Sequence, residues 1–501
     1  MRRGVLVVAA LWAASGCTGG GTNDGGTDGG FSSGGGGALG GGGGATGTDL
    51  IGRRVLHRRL EGGELVTEDP LLAQLAVYAR SGTTFTSLPV EFTDGGFVVR
   101  DAPAEYYVQL PRPGQRPWWI VSSARQLDLD EYNVLGRPGP SSSSSMSLRL
   151  TATGLAEAGW LSFQVTSPNT DFSGRLSGVG PATPSIDNVS HGLSRYTSGA
   201  APAGTAGDLT HLWQMVSVDA GAGLILGWSV ARSLELSGWT WALDDSTTLT
   251  AAFVTPPDRG NHAGTLRVSD YLADATAIGP GAEVWRASVD LLVTPSAPAA
   301  PDVRASVPGL IAAWTEFASA DVTFNVPYVD PVPTWTHFVS SEVTFHVPTL
   351  LPRTNSGGVS VSHSDIWPLA QAPSTFSPRI SPPTTLRIDG ADAQRTGTFS
   401  SLTPTISWSA PTRGTPVGYQ VRIFELAAAG TYTNSFDRDA LLTRATSIVL
   451  PPGLLTSGSD YAVAVEAIAS PGLDIDTRPI AIAWSLDVAT ASAVSGVWHA
   501  P

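Results

Sequence analysis

The 501-residue chain contains no lysine, so all 29 of its Lys-plus-Arg positions are arginines. This absence excludes every mechanism that needs a lysine amine, such as a P-loop, a Schiff base or a Ser-x-x-Lys acyl enzyme. Cys17 is the only cysteine, so no intramolecular disulfide can form and the folded segments must be stabilised by their own buried cores. The net charge of −14 argues against nucleic acid or an anionic surface as the main partner.

The first residues have the features of an export signal. Two arginines precede an apolar run over residues 5–14, and two small residues precede Cys17. The run is about half of the roughly 20 residues that a membrane-spanning helix needs. The sequence Ala14-Ser15-Gly16-Cys17 resembles a bacterial lipobox, at which lipoproteins are cleaved and diacylated on cysteine. The resemblance implies a signal peptide over 1–16 and a lipid anchor on Cys17; the alternative is an ordinary signal peptide with an incidental cysteine.

A glycine-rich segment follows Cys17 and extends to residue 49. It has almost no apolar side chains, so it cannot bury enough surface to offset the entropy of ordering it. About 30 residues of such chain span roughly 30 Å, which suits a disordered tether between a membrane and a folded body. Thr18, rather than an aspartate, follows the cysteine, and by similarity to lipoprotein sorting this implies the outer membrane.

The remaining chain is predicted to be all-β. Long stretches with helical spacing of apolar residues are missing, whereas alternating runs such as 163–165, 322–326 and 419–423 are frequent and are separated by Gly- and Pro-rich turns. This pattern predicts several β-sandwich domains in series. The predicted segments are 50–140, 141–297, 298–383 and 384–501, the third being either separate or part of the second.

A similar heptapeptide occurs twice in the third segment, at 321–327 and at 342–348. Two copies of one strand predict either adjacent arms of a hairpin or the start of a duplicated unit. They fall short of the three or more copies that a solenoid needs.

Segment 50–140 contains a glycine-aromatic strand, a proline turn and a strand with two tyrosines, over residues 94–110. In this it resembles the carboxypeptidase regulatory-like (transthyretin-like) sandwich, and the resemblance implies a β-sandwich without catalytic activity.

Segment 384–501 resembles a fibronectin type III domain. The matching residues are Trp408 on the second strand, Tyr419 on the third, and Leu455 with Tyr461 at a tyrosine corner. The resemblance implies that Trp408 fills the core between the sheets and that the Tyr461 hydroxyl bonds to the corner backbone. It implies a spacer or binding module and confers no chemistry.

Few residues suggest chemistry. His337, His346, His363 and Asp365 are close enough in sequence to form a metal or acid–base cluster, but surface histidines on strands explain them better. The carboxylates at 128, 130 and 131 have the density of a calcium site, although alternation with leucines favours the solvent face of a strand. We therefore predict no catalytic residue, no metal and no cofactor.

Two pairs of tryptophans could stack on sugar rings. Trp239 and Trp241 point to one face if they lie on a strand, and one ring of Trp118 and Trp119 must then face outward. Packing in a core or at an edge is the alternative, and we favour it.

These observations predict a non-catalytic binding or scaffold lipoprotein of the cell envelope, with a membrane as one partner and a protein or glycan as the other. The alternative is an exported enzyme that hydrolyses polysaccharide or peptide, with its catalytic domain between residues 146 and 383.

The lipid anchor is directly testable. We expect Cys17→Ala to lose incorporation of radiolabelled palmitate and to move from the membrane to the soluble fraction, because the acyl chains would be the only attachment. Retention of the variant in the membrane fraction would contradict the anchor.

Overall fold

A computed structural model of the chain describes residues 48–60, 63–112, 115–135, 147–157, 161–170, 172–177, 184–195, 201–221, 226–241, 247–294 and 309–501. These residues are predominantly β-structured, as predicted. Cys17 and the tether lie outside them. No helix within the described residues is long and apolar enough to span a membrane.

The strands before residue 136 are β1 (Leu50–Arg53), β2 (Val55–Leu60), β3 (Gly63–Glu68), β4 (Ala76–Ser81), β5 (Thr84–Leu88), β6 (Glu91–Thr93), β7 (Gly96–Val99), β8 (Tyr106–Arg112), β9 (Gln115–Ser122), β10 (Gln126–Asp128) and β11 (Glu131–Leu135). The strands between 147 and 294 are β12 (Ser147–Thr153), β13 (Leu161–Ser167), β14 (Phe172–Ser177), β15 (Ser185–Arg195), β16 (Leu209–Val218), β17 (Leu226–Ser237), β18 (Thr247–Ala252), β19 (Asp258–Leu266) and β20 (Glu283–Thr294).

The strands between 309 and 376 are β21 (Gly309–Glu316), β22 (Val322–Asp330), β23 (Thr336–Val347), β24 (Ser356–Gly357), β25 (Val359–Pro368) and β26 (Thr375–Phe376). The strands after 383 are β27 (Thr384–Ile388), β28 (Ala391–Asp392), β29 (Gly397–Thr398), β30 (Thr405–Ser409), β31 (Gly418–Ala429), β32 (Tyr432–Thr443), β33 (Ser447–Val449), β34 (Asp460–Ala469), β35 (Val488–Val494) and β36 (Trp498–His499). Helices are short: α1 (Val268–Leu272), α2 (Ala275–Ile278) and 3₁₀ turns at Leu72–Gln74, Gly204–Ala206, Leu369–Gln371 and Pro479–Trp484.

Strand pairing runs without a break through most of the described chain. The order is β18, β12, β15, β14, β13, β16, β17, β21, β20, β23, β25, β35, β34, β31, β32, β9, β8, β4 and β5. Strands β21 and β23 therefore extend the sheet of β17 and β20. The third predicted segment is thus joined to the second by backbone hydrogen bonds.

Four apolar clusters fill the spaces between the sheets. One lies within residues 148–253 around Phe163 and Trp241, and a larger one lies between β20, β23, β25 and α1 around Val289 and Phe345. A third fills the C-terminal sandwich, and a fourth joins the N-terminal strands to β23, β25 and β34. With no disulfide among the described residues, this apolar burial is the main stabilising term.

Eight of the N-terminal strands form two facing sheets, β10-β1-β7-β6 and β5-β4-β8-β9, and the other three form the small sheet β11-β2-β3. Strands β7 and β8, which follow one another in sequence, belong to different sheets and meet through the side chains of Phe97, Val99, Tyr106 and Val108. Gly52 has to be a glycine, because a Cβ there would lie 2.1 Å from the Phe97 ring.

The C-terminal strands enclose Trp408, Tyr419, Leu455 and Tyr461, which are all buried in one cluster. The Trp408 and Tyr419 rings meet edge to face with centroids 5.2 Å apart. The Thr456 backbone N–H donates to the Tyr461 hydroxyl at 2.9 Å, which closes the corner before β34.

The two copies of the repeated heptapeptide are separated in space. Strand β22 pairs with β19 and belongs to the small sheet β22-β19-β26, whereas β23 pairs with β20 and β25. The copies are therefore not adjacent hairpin arms.

Candidate functional site

Five adjacent strands carry polar side chains on the same side of the sheet. We call this surface the polar face; its residues are Arg286, Ser288 and Asp290 on β20, Ser340, Glu342 and Thr344 on β23, Ser362 and Ser364 on β25, Thr490 and Ser492 on β35, and Glu466 on β34. They lie in rows across the strands, because directly paired residues point to the same side of a sheet. One such row is Ser288, Glu342, Ser364 and Thr490.

The alternation along β23 explains why this side is polar. Val339, Val343 and Phe345 point into the apolar cluster beneath the sheet, as does the small Ser341, which contacts the buried Tyr271. Ser340, Glu342 and Thr344 alternate with them and point to the opposite side. The polar side chains are nevertheless recessed: Ser340 and Asp290 are buried, and Glu342 is half-buried. A recessed polar surface must satisfy its hydrogen bonds or be hydrated, because unpaired buried polar groups are unfavourable.

The hydroxyls of the polar face bond to its carboxylates. Glu342 Oε1 accepts from Ser362 Oγ at 2.7 Å and from Thr344 Oγ1 at 2.8 Å. Glu466 Oε2 accepts from Ser492 Oγ at 3.2 Å. The Ser364 and Thr490 hydroxyl oxygens lie 3.1 Å apart across the β25–β35 junction. These bonds form three local groups on the face: Glu342 with Thr344 and Ser362, Glu466 with Ser492, and Ser364 with Thr490.

Burial favours the protonated form of two carboxylates on the face, Asp290 and Glu466. Loss of solvation raises the pKa of Asp290 to about 7, with the nearby Glu342 charge adding to the rise and Arg286 opposing it. Loss of solvation also raises the pKa of Glu466, and Arg422 is the largest opposing influence. Near neutral pH the face therefore contains a carboxyl group that both donates and accepts hydrogen bonds.

The polar face has a covered end and an open end. At one end, Phe338, Ile366 and Val488 are buried against the N-terminal strands. The other end lies about six residues further along β23, at Thr344. The exposed rings of Trp285 and Phe317 lie just beyond Thr344. The N-terminal sandwich therefore closes one end and leaves an aromatic rim at the other.

The candidate histidine cluster, which the sequence pattern disfavoured, does not assemble. His363 and Asp365 lie on the apolar side of β25, while His346 points to the polar side of β23 and binds the Gly357 carbonyl at 3.1 Å. His337 has its own partner, Asp330, at 2.8 Å between Nε2 and Oδ2. Burial lowers the pKa of His337, but the hydrogen bond and charge of Asp330 outweigh it, so the net direction is upward.

His363 is the most deeply buried of these groups. Its ring packs 5.4 Å from Phe345 and 6.0 Å from Tyr271, and its Nδ1 lies 3.9 Å from Asp274 Oδ2. Burial lowers the pKa of His363 to about 3, so the ring is neutral. Surface histidines were expected on these strands; for His363 that expectation is wrong, because α1 and α2 cover this side of the sheet.

The carboxylates considered as candidate calcium ligands are occupied by arginine, histidine and backbone groups. Asp130 Oδ2 lies 2.7 Å from Arg53 Nη2 and 3.0 Å from His57 Nε2, and its Oδ1 accepts from the Val55 N–H at 2.9 Å. Asp130 is therefore buried rather than on a solvent face, because β1 and β2 cover it. Among the described residues no three His, Cys, Asp or Glu side chains are placed to hold a metal ion.

The tryptophan pairs pack into cores. Trp241 is buried 5.5 Å from Phe172, and Trp239 packs against it edge to face at 5.2 Å. On β9, Trp119 is buried in the C-terminal cluster and Trp118 packs against the N-terminal one. Trp118 is thus half-buried rather than facing solvent, because an apolar cluster lies on each side of β9.

Sequence reasoning missed the polar face and the aromatic rim. The alternation of Ser340, Glu342 and Thr344 with apolar residues was visible within β23. Its continuation on β35, about 150 residues later, was not visible, because the sequence does not state which strands are neighbours.

Comparison with known proteins adds little. No family model and no curated protein matches the sequence. Solved structures with weak similarity include the FN1–FN3 domains of chicken CNTN1 (9% identity, 68% of this chain and 91% of that one, TM-score 0.14). They also include trypsin-activated alpha-2-macroglobulin from Escherichia coli (13% identity, 85% of this chain and 28% of that one, TM-score 0.12). This chain thus spans little more than a quarter of the length of the second protein.

The raised pKa of Asp290 makes the stability of the fold depend on pH. A carboxyl whose pKa is raised in the folded state binds its proton more tightly there, so its contribution to stability falls as pH rises from about 4 to about 7. We expect Asp290→Asn to raise the free energy of unfolding at pH 8 by about 1–3 kcal/mol, seen as a higher thermal midpoint, and to match wild type at pH 4. The exposed Asp258→Asn is the control and should track wild type at both pH values. An Asp290→Asn difference that does not depend on pH would contradict the assignment.

Proposed function

We propose that this chain is an outer-membrane lipoprotein, anchored through Cys17, that binds a ligand on its polar face without changing it chemically. The lipobox-like sequence and the glycine-rich tether support the anchor. The tether of about 30 residues gives the folded body roughly 30 Å of reach from the membrane. At the end of such a tether, the folded part of the chain could bind a second partner through its sheets or through the polar face.

The observation that carries the binding function is the continuity of the polar face. Its eleven polar side chains occupy neighbouring positions on one side of five strands, where apolar side chains would be expected if this side only packed against another part of the protein. Folding does not require them, because the apolar cluster on the opposite side already stabilises these strands. Hydroxyls and carboxylates that bond to one another can also bond to a polar ligand that enters the recess.

We also propose that 384–501 is a fibronectin type III-like module and that 50–140 is a carboxypeptidase regulatory-like sandwich. The edge-to-face packing of Trp408 on Tyr419 and the bond from Thr456 to Tyr461 support the first. The packing of β7 against β8 supports the second. In this arrangement both modules act as supports, one of which covers an end of the polar face.

One observation favours the alternative of a hydrolase. Asp290, with its raised pKa, and the neighbouring Glu342 resemble the acid and base that glycoside hydrolysis uses. Release of reducing ends from polysaccharide by the purified protein, lost in Glu342→Gln, would establish the hydrolase and refute a purely binding role.

A single introduced thiol tests ligand binding without knowledge of the ligand. Ser364→Cys places a half-buried thiol in the polar face, and Ser87→Cys places an exposed one on β5, far from it in sequence. In the lipidated protein Cys17 is blocked, so each variant has one reactive thiol. We expect a maleimide dye to label both thiols in purified protein but only Ser87→Cys in intact envelopes, where ligand fills the recess.

Equal labelling of Ser364→Cys in envelopes and in purified protein would refute the proposed binding face. Within each preparation, the labelling of Ser364→Cys is divided by that of Ser87→Cys, which corrects for differences in how well the dye reaches the protein.

A further inference from the structure

The open end of the polar face is marked by two exposed aromatic rings. Trp285 is 45% exposed and Phe317 is 63% exposed, and their rings meet edge to face with centroids 5.1 Å apart. Large rings exposed to this degree contribute little to the core, so their position needs another explanation.

The backbone holds both rings outward. Trp285 is the extra residue of a β-bulge, since Val284 pairs with Phe345 and Arg286 pairs with Thr344. Bulges re-aim a side chain and are frequent next to binding sites. Phe317 has a φ of 52°, a left-handed conformation that is unfavourable for an aromatic residue. The Phe317 N–H donates to the Trp285 carbonyl at 3.0 Å, which ties the two positions together.

The groups around the rings are polar. Glu283 and Glu316 are exposed on either side, and Arg286 is occupied by stacking over the Trp314 ring at 4.9 Å. Thr344, the neighbour of Arg286 across the strands, begins the polar face. Two exposed rings alone are a small apolar area for the core of a protein–protein interface.

We infer that Trp285 and Phe317 form a stacking subsite for a pyranose ring of an uncharged polysaccharide, whose next sugars would lie along the polar face. A pyranose has an apolar C–H face that suits an aromatic ring and a rim of hydroxyls that suits hydroxyl and carboxylate partners. Glu283 and Glu316 disfavour acidic glycans by charge repulsion. This inference rests on the proposed function and names the class of its ligand.

Affinity electrophoresis of the full-length, detergent-solubilised protein tests it. The gels contain xyloglucan, mixed-linkage β-glucan, galactomannan or soluble starch, with polygalacturonate as the acidic comparison. We expect retardation by at least one neutral polymer and none by polygalacturonate. We expect Trp285→Ala and Phe317→Ala each to weaken the apparent affinity about tenfold, the loss typical of a stacking residue at a binding site.

Phe436→Ala is the matched control, because Phe436 is 44% exposed on β32 but lies outside the rim, and it should be retarded like wild type. An unchanged thermal midpoint in all three variants excludes unfolding as the cause. Failure of every neutral polymer to retard wild type, or wild-type retardation of Trp285→Ala, would overturn the inference.

These failures are distinguishable from failure of the proposed function. If Ser364→Cys is still protected in envelopes while no neutral polymer binds, the polar face has a ligand and the polysaccharide assignment is wrong. If protection is also absent, both proposals are wrong.

Discussion

The pairing of β25 with β35 is the interaction on which the rest of the structure depends. Three residue pairs, Ser364–Thr490, Asp365–Ala489 and Ile366–Val488, join the central sheet to the C-terminal strands. Arg379 holds this register, because its guanidinium binds Asp365 at 2.7 Å and also contacts Asp487, which precedes β35. A slip of one residue would turn Asp365 toward the polar face and Ser364 into the core, so the register decides which side chains the surface displays.

The register of this junction keeps the apolar side chains on one side of the sheet and the polar side chains on the other. The apolar side is covered by α1 and α2 and stabilises the fold, and it also buries the neutral His363. The other side collects polar side chains from five strands that are up to 206 positions apart in sequence, from Arg286 to Ser492. The N-terminal sandwich packs on one end of that side through Phe338 and Ile366, and the exposed rings of Trp285 and Phe317 lie at the other end.

Local patterns predicted local structure well. Strand alternation predicted the all-β class, and the resemblance of Leu455 and Tyr461 to a tyrosine corner implied a buried corner that the structure contains. Long-range partners could not be predicted in this way. Asp130 is buried because Arg53 and His57, more than 70 positions earlier, bind it, and the repeated heptapeptides of β22 and β23 separate because their partners differ. The polar face is the extreme case, since no single strand carries more than three of its residues.

The register of the β25–β35 junction is the most direct test of this account. Directly opposed cysteines have Cβ atoms close enough for a disulfide, whereas cysteines on opposite sides of a sheet do not. In a Cys17→Ala background, the double variant Ser364→Cys with Thr490→Cys should form an intramolecular disulfide on mild oxidation, read by non-reducing mass spectrometry. The variant Ser364→Cys with Ala489→Cys should remain reduced. A disulfide in the second pair but not in the first would show a different register and would contradict a continuous polar face.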